Sequence, residues 1–352
     1  MSKIKSFLLQ ITTPKYQLLT QAFAIIIILI SLYPRIYQFR PVDPIPPIIP
    51  ITPIDIKKWG TEPTPIQTGF HIVSFKNFDI NLNIFSYEGI VWFLFDPTLI
   101  SLNTISKFSI MQGEITYKSN PETKLIEEKL FVRYHIRINF TCNINHRHFP
   151  LDSHQIPIVF VNESISPHEA IFIAYETDFS ISPKLAITNW SILDSHTQTG
   201  YLKSDLDPLD SKKDIYSPQV IYTLDIIRNS TRGVLIIFLP LLFLFFTTFF
   251  SLSLDPKSLS ASVERYSITS ITALIAYRFV IDQMSPKVGY FMLSDYLFLL
   301  FLGCMFPIAL VGFLLINRGA LTHSLSILRG VIFLSSYITF LILWYYFLYF
   351  WY

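Results

Sequence analysis

Unbroken apolar runs occupy the start and the end of the chain, and between them apolar and polar residues alternate. Beyond the middle stretch four runs predict helices at Val234–Leu254, Ser262–Met284, Tyr290–Ile316 and Leu328–Tyr352. At about 1.5 Å per residue, each is long enough to cross a hydrocarbon core of about 30 Å. From Ile66 to Arg228 the period shortens. Gly69–Phe75, Gly89–Phe95, Leu130–Phe140, Gln155–Val161, Ala170–Tyr175, Ala186–Leu193 and Gln219–Ile227 are rich in β-branched and aromatic residues, with Asn, Asp, Ser, Pro and Gly between them. Short strands at this spacing, with no long amphipathic helix among them, predict two facing sheets.

The run Ser262–Met284 differs from its neighbours. Ser262, Arg265, Thr269, Thr272, Ala276, Phe279 and Gln283 succeed one another at alternating steps of three and four, so they share one stripe of a helix. Lipid does not reward such a stripe, because a polar group in hydrocarbon needs a partner or water. Either the hydroxyls bond back to carbonyls and pack on other helices, or several copies of the stripe enclose water. A stripe that ends in charged residues favours water.

At the start of the chain, Lys3, Lys5 and Lys15 precede the apolar run Leu18–Leu32. A signal peptide and an uncleaved membrane anchor (residues 1–33) both fit, and both send the next part of the chain across the membrane. Eight prolines between Pro41 and Pro65 make residues 34–65 an extended, stiff spacer. Residues 66–233 then form the sandwich domain and 234–352 the membrane domain. Arg318 and Arg329 flank a link without acidic residues, which places that link inside the cell and the sandwich on the outer, periplasmic side. The aromatic end Tyr345–Tyr352 suits the outer interface or packing on the strand domain.

Composition agrees with a multi-pass protein of the cell membrane: 51% of residues are hydrophobic and 15% charged. A net charge of +2 excludes a dedicated nucleic-acid binder. Two cysteines, Cys142 and Cys304, lie in different regions and are not expected to meet. His146, His148 and His154 cluster near Cys142, but at no standard ligand spacing, so neither a metal nor a cofactor is expected. In Lys203–Ser217, Asp205, Asp207, Asp210 and Asp214 lie between Tyr201 and Tyr216. Carboxylates beside aromatics suit an organic cation or Ca²⁺, and a solvated hairpin is the plainer reading.

Cys142–Ile156 reads CNINHRHFPLDSHQI, with the core Phe149-Pro150-Leu151-Asp152. Asp96-Pro97 comes after an early strand, Arg228 stands twelve residues before Pro240, and Ser267–Tyr277 and Ser285–Tyr296 lie further on. In this ordered set the chain resembles the bacterial branch of the pentameric ligand-gated ion channels, the Cys-loop receptor superfamily, over nearly everything after Pro63. It departs from the pattern in having Phe95 where a Trp is typical. Ile156 stands at the second cysteine position, so the resemblance implies no disulfide.

The resemblance implies a homopentamer in lipid, with a sandwich that binds an unknown small molecule and a pore that passes ions. Arg265, Thr269, Thr272, Ala276, Phe279 and Gln283 would line the pore. A bulky aliphatic gate is expected where Thr272 falls and a small polar residue where Arg265 falls. A shifted register, with Ile268, Thr272, Ile275 and Phe279 on the pore and Glu264 at the inner mouth, restores the gate. A ring of Arg265 would repel cations, whereas Glu264 would attract them.

The gating interface implied by the resemblance comprises Asp79, Phe149, Pro150, Asp152, Arg228, Pro286 and Lys287, with Asp152 pairing Arg228 and Asp79 approaching Lys287. Glu163 falls at the main ligand-side loop, and Tyr201, Asp205, Asp207 and Tyr216 at the capping loop. The competing expectation is a non-conducting membrane sensor built from the same domains. An integral-membrane enzyme ranks third, because no nucleophile elbow, HExxH or phosphate-cradling Gly-rich loop is present.

Overall fold

The structure, a computed structural model, describes residues 13–50, 52, 54, 57, 60, 62–205, 214–229, 231–251, 256–317 and 323–350, without the side chains of 14, 205, 256–264, 312–317 and 323–329. The chain divides into two compact units. One is helical (Met1–Gln38, His146–Asp152 and Ser230–Tyr352), and the other holds the strands (Phe39–Asn145 and Ser153–Asn229). The chain enters the first unit through helix α1 (Pro14–Ile36).

The strand unit begins with β1 (Thr64–Asp79) and β2 (Ile84–Phe95), and next comes the single turn α2 (Leu102–Ile105). Then come β3 (Ser109–Ile110), β4 (Gly113–Lys118), β5 (Glu122–Ile126), β6 (Lys129–Thr141), β7 (Ser153–Val161), β8 (Ala170–Ile173) and β9 (Phe179–Ile181). The long hairpin β10 (Trp190–Asp205) and β11 (Asp214–Arg228) completes it. One sheet runs β4-β6-β2-β1-β8, with β5 on β6 and β9 on β1; the other runs β10-β11-β7-β3.

Strand β2 shows why the sheets face each other. Every second residue from Phe85 to Phe95 is buried, as a pleated strand with one covered face requires. That face meets Ile156, Ile158 and Phe160 of β7 and Val220, Tyr222 and Leu224 of β11 in one core. Phe70 of β1 lies 5.1 Å from Phe160 and 5.8 Å from Tyr222, ring to ring. Burying each such side chain contributes roughly 1.5–3 kcal/mol before ordering entropy is set against it.

The expected strands are present with two differences. Ala186–Leu193 becomes strand only at Trp190, because Asn189 sits in the left-handed region at φ +66° and turns the chain first. Beyond Leu193 the strand runs on through the polar DSHTQTGYLKSD to Asp205, held in register by β11 from Trp190↔Arg228 to Asp205↔Asp214.

The first part of the proline-rich segment packs on the strands. Residues 39–50 belong to the strand unit, and Ile49 exchanges both backbone hydrogen bonds with Tyr201 at 3.0 and 2.9 Å. Gln219 donates to the Pro47 carbonyl at 2.9 Å, and Arg40 N–H to Ser153 Oγ at 2.7 Å. A Cβ on Gly200 would lie 2.5 Å from the Ile49 carbonyl, so the glycine permits the approach. Ile48 packs on Val159, Val161 and Ile221, covering the second face of β7 and β11. This explains why those strands read as continuous apolar runs.

In the helical unit, α3 (Thr231–Ser251), α4 (Pro256–Met284), α5 (Leu293–Asn317) and α6 (His323–Tyr349) join α1. Among the described residues four helices are long and apolar enough to cross a membrane: Lys15–Ile36, Thr231–Ser251, Leu293–Val311 and Gly330–Tyr349. They mark a membrane protein, and they are not the expected four. Helix α1 is among them, and α4 is not, because its hydroxyls and charges make it too polar. Helix α1 extends past residue 33 and shares a core with α3, α5 and α6 through Ala24, Ile28 and Leu32.

Candidate functional site

Three contacts fix the rotation of α4 about its axis. Ser267 Oγ lies 3.1 Å from Ser251 Oγ, whose hydroxyl also bonds the Thr248 carbonyl at 2.6 Å. The Tyr277 hydroxyl donates to the Ile236 carbonyl of α3. The Arg278 guanidinium lies 2.6 Å from the Asp295 carboxylate in the first turn of α5. Ser267, Ser270, Leu274 and Ile281 are therefore buried, at the three-to-four spacing of one helix face.

The opposite face carries the expected stripe. Arg265, Thr269, Thr272, Ala276, Phe279 and Gln283 are all exposed in the single chain, with Phe279 at 70%. Ile268 and Ile275 of the alternative register are exposed as well, at 51% and 49%. Both registers thus share the face turned away from the chain's own bundle. The Glu264 side chain lies outside the described residues.

The loop 146–152 belongs to the helical unit rather than to the sandwich. Its carbonyls cap the start of α5: Leu293 N–H donates to Arg147 O at 2.7 Å and Ser294 N–H to Phe149 O at 3.1 Å. These are amides that a helix N-terminus leaves without an internal acceptor. The Tyr290 hydroxyl accepts from His146 N–H at 2.9 Å, and Phe149 is buried in the helical core. Asp295 accepts from Met292 N–H at 2.8 Å. The aromatic end of α6 packs within its own unit: Trp344 Nε1 donates to Ser31 Oγ at 3.0 Å, and the Tyr349 hydroxyl to the Ser31 carbonyl at 2.8 Å.

The remaining expected residues divide between the units. Asp152 is buried and, like buried Pro286 and exposed Lys287, belongs to the helical unit, whereas Arg228 and Asp79 belong to the strand unit. The Arg228 guanidinium lies over the Trp190 ring at 4.5 Å. Asp79 accepts from Leu82 N–H at 3.1 Å, closing the turn between β1 and β2. Lys287 holds the Asp282 carboxylate at 2.8 Å.

Of the expected ligand residues, Glu163 is exposed after β7 and Tyr216 is half-buried. Tyr201 is buried and donates to the Pro167 carbonyl at 2.9 Å; burial pushes its hydroxyl up to about 12. Tyr201 is therefore a packing residue, because an inward-facing strand position leaves its ring no open surface. Asp205 pairs with Asp214 through the backbone, Lys203 lies 3.1 Å from the Asp214 carboxylate, and Asp207 and Asp210 lie outside the described residues.

Asp43, with no signal in the sequence beyond its place among prolines, organises the strand unit near Asn145. Its carboxylate accepts from Asn145 N–H at 2.7 Å and Gln155 N–H at 2.9 Å, and lies 3.1 Å from His154 Nδ1. Both side chains are buried, and the His154 ring packs 5.4 Å from Trp190. Asp43 also raises the Cys142 thiol, which burial chiefly pushes up to about 12. His154 thus faces a carboxylate inside the strand unit, and His146 belongs to the helical unit. Both cysteines are free and buried. No family model matches the chain, and no curated protein matches it.

Proposed function

We propose that this chain is one subunit of a ligand-gated channel, a homopentamer in which the outer sandwich receives a small molecule and α4 of each subunit lines the pore. The observation that carries the reading is the two-sidedness of α4. One face is fastened to α3 and α5 through Ser267, Tyr277 and the Arg278–Asp295 pair, and the other leaves Arg265, Thr269, Thr272 and Gln283 exposed. A single lipid-facing helix would leave those polar groups in hydrocarbon, at roughly 2.5–3.5 kcal/mol for a charge at the bilayer centre. Several copies facing one another would give them water. The resemblance through the Phe149-Pro150-Leu151-Asp152 loop and the proline of α3 supports the same reading and makes five the expected number.

Recording from planar bilayers containing the purified protein tests it. Unitary currents whose reversal potential shifts when Arg265 or Glu264 is neutralised are expected. A protein that folds and inserts but never conducts under any screened ligand or pH would instead support the non-conducting sensor.

A further inference from the structure

The first helix partitions its residues in a way that a transient leader does not need. Gln17, Gln21, Ala24, Ile28, Leu32 and Arg35 are buried, at steps of four, three, four, four and three. The outward positions, among them Leu18, Phe23, Ile26, Ile30 and Tyr33, are large, apolar and exposed. Gln17, Gln21 and Arg35 point in beside the apolar Ala24, Ile28 and Leu32, and large apolar side chains point out, as in a membrane helix docked on a bundle.

The inward groups meet specific partners. Gln21 Nε2 reaches the Phe246 carbonyl of α3 at 3.5 Å. Ser31 gives α6 two acceptors, its hydroxyl for Trp344 Nε1 and its carbonyl for the Tyr349 hydroxyl, while its own proton goes to the Ile28 carbonyl at 2.8 Å. The Arg35 guanidinium sits 4.0 Å over the Tyr349 ring. Trp344 is 1% exposed and also packs on Phe238 and Phe340. Without α1 its indole N–H would face hydrocarbon and lose the Ser31 acceptor, a cost that buried donors avoid.

We propose that residues 14–36 are kept in the mature protein as a further membrane helix, docked on α3 and α6, with Ser31 as the acceptor that anchors the aromatic end of α6. The groove between α3 and α6 is then filled by the chain's own first helix and not by lipid. This stands whether or not the protein conducts.

Two measurements on the full-length chain, purified from membranes, test it. Intact mass spectrometry should find residues 14–36 present; a mature chain beginning after this helix overturns the proposal. A double-mutant cycle of Ser31→Ala and Trp344→Phe should then show coupling in the equilibrium constant for thermal unfolding in detergent. A typical interhelical hydrogen bond predicts about a threefold effect that is lost once, not twice, in the double variant. Strictly multiplicative effects, with the helix present by mass, overturn the docking. Bilayer recordings of conduction are independent of both results.

Discussion

The Arg278 guanidinium and the Asp295 carboxylate meet at 2.6 Å and tie the C-terminal third of α4 to the first turn of α5. Asp295 is almost fully buried and also accepts from Met292 N–H, while the Arg278 side chain is about one-third exposed. A carboxylate at a helix N-terminus is favoured by the dipole, so Asp295 serves two helices at once. Breaking a buried pair from one side costs about 3–5 kcal/mol, against about 0–1 for an exposed one. Arg278→Gln, which leaves the buried Asp295 charge uncompensated, should therefore lower the thermal midpoint clearly, and Asp295→Asn, which leaves a partly exposed guanidinium, less. The double variant should be less unstable than the sum, by a coupling of about 0.5–3 kcal/mol. Additive losses in the cycle would mean that the pair does not hold α4.

Asp43 gives a second prediction, which separates a packed segment from a spacer. Asp43→Ala would leave Asn145 N–H, Gln155 N–H and the His154 ring without their common buried acceptor. Each buried group left unsatisfied costs about 1–3 kcal/mol. Urea unfolding monitored by Trp fluorescence should show a clear loss of stability, with Trp190 beside His154 as one reporter. An unchanged midpoint would return residues 39–50 to the role of a linker.

Glu88 supplies the pH prediction. The Arg137 guanidinium, and after it Lys76 at 3.0 Å, hold its carboxyl at about 2, below the ordinary 4.5. A depressed carboxylate contributes stability that is present above the unfolded value and disappears as pH falls through the folded one. The stability difference between parent and Glu88→Gln should thus be constant above about pH 5 and shrink between 4.5 and 2. Acid titrations in which the difference stays level throughout that interval would contradict the assignment.

Some of this is legible in the chain because the signal is local. The alternation of β2, the apolar runs of α3, α5 and α6 and the stripe of α4 each depend on residues a few positions apart. The hidden features depend on partners far away in sequence. Asp43 finds its acceptor role 102 to 112 residues on, at Asn145, His154 and Gln155. Beyond Leu193, strand β10 looks like loop until β11 lends it a register. Helix α1 fits a leader and an anchor alike in the sequence, because its polar inward positions acquire meaning only beside Trp344 and Tyr349. Tyr201 looks available for a ligand because sequence shows the residue type and not the face it is on.

The exposed face of α4 can be read residue by residue with cysteine substitutions. Single cysteines at Ser267, Ile268, Thr269, Ser270, Thr272, Leu274, Ile275, Ala276, Phe279 and Gln283 would be treated with a charged methanethiosulfonate in assembled protein. The two native thiols should stay silent, since both are buried and Cys142 is held at about 12, where the reactive thiolate is scarce. Ser267, Ser270 and Leu274 should be protected in every case, because they pack inside the subunit. If α4 lines water, Thr272 and Phe279 should react rapidly, as they belong to both registers. The remaining positions then choose between them: fast Thr269, Ala276 and Gln283 select the stripe that begins at Arg265, and fast Ile268 and Ile275 select the shifted one. Reaction confined to the ends of the helix would leave the middle of this face in lipid or protein, and the pore assignment would fall.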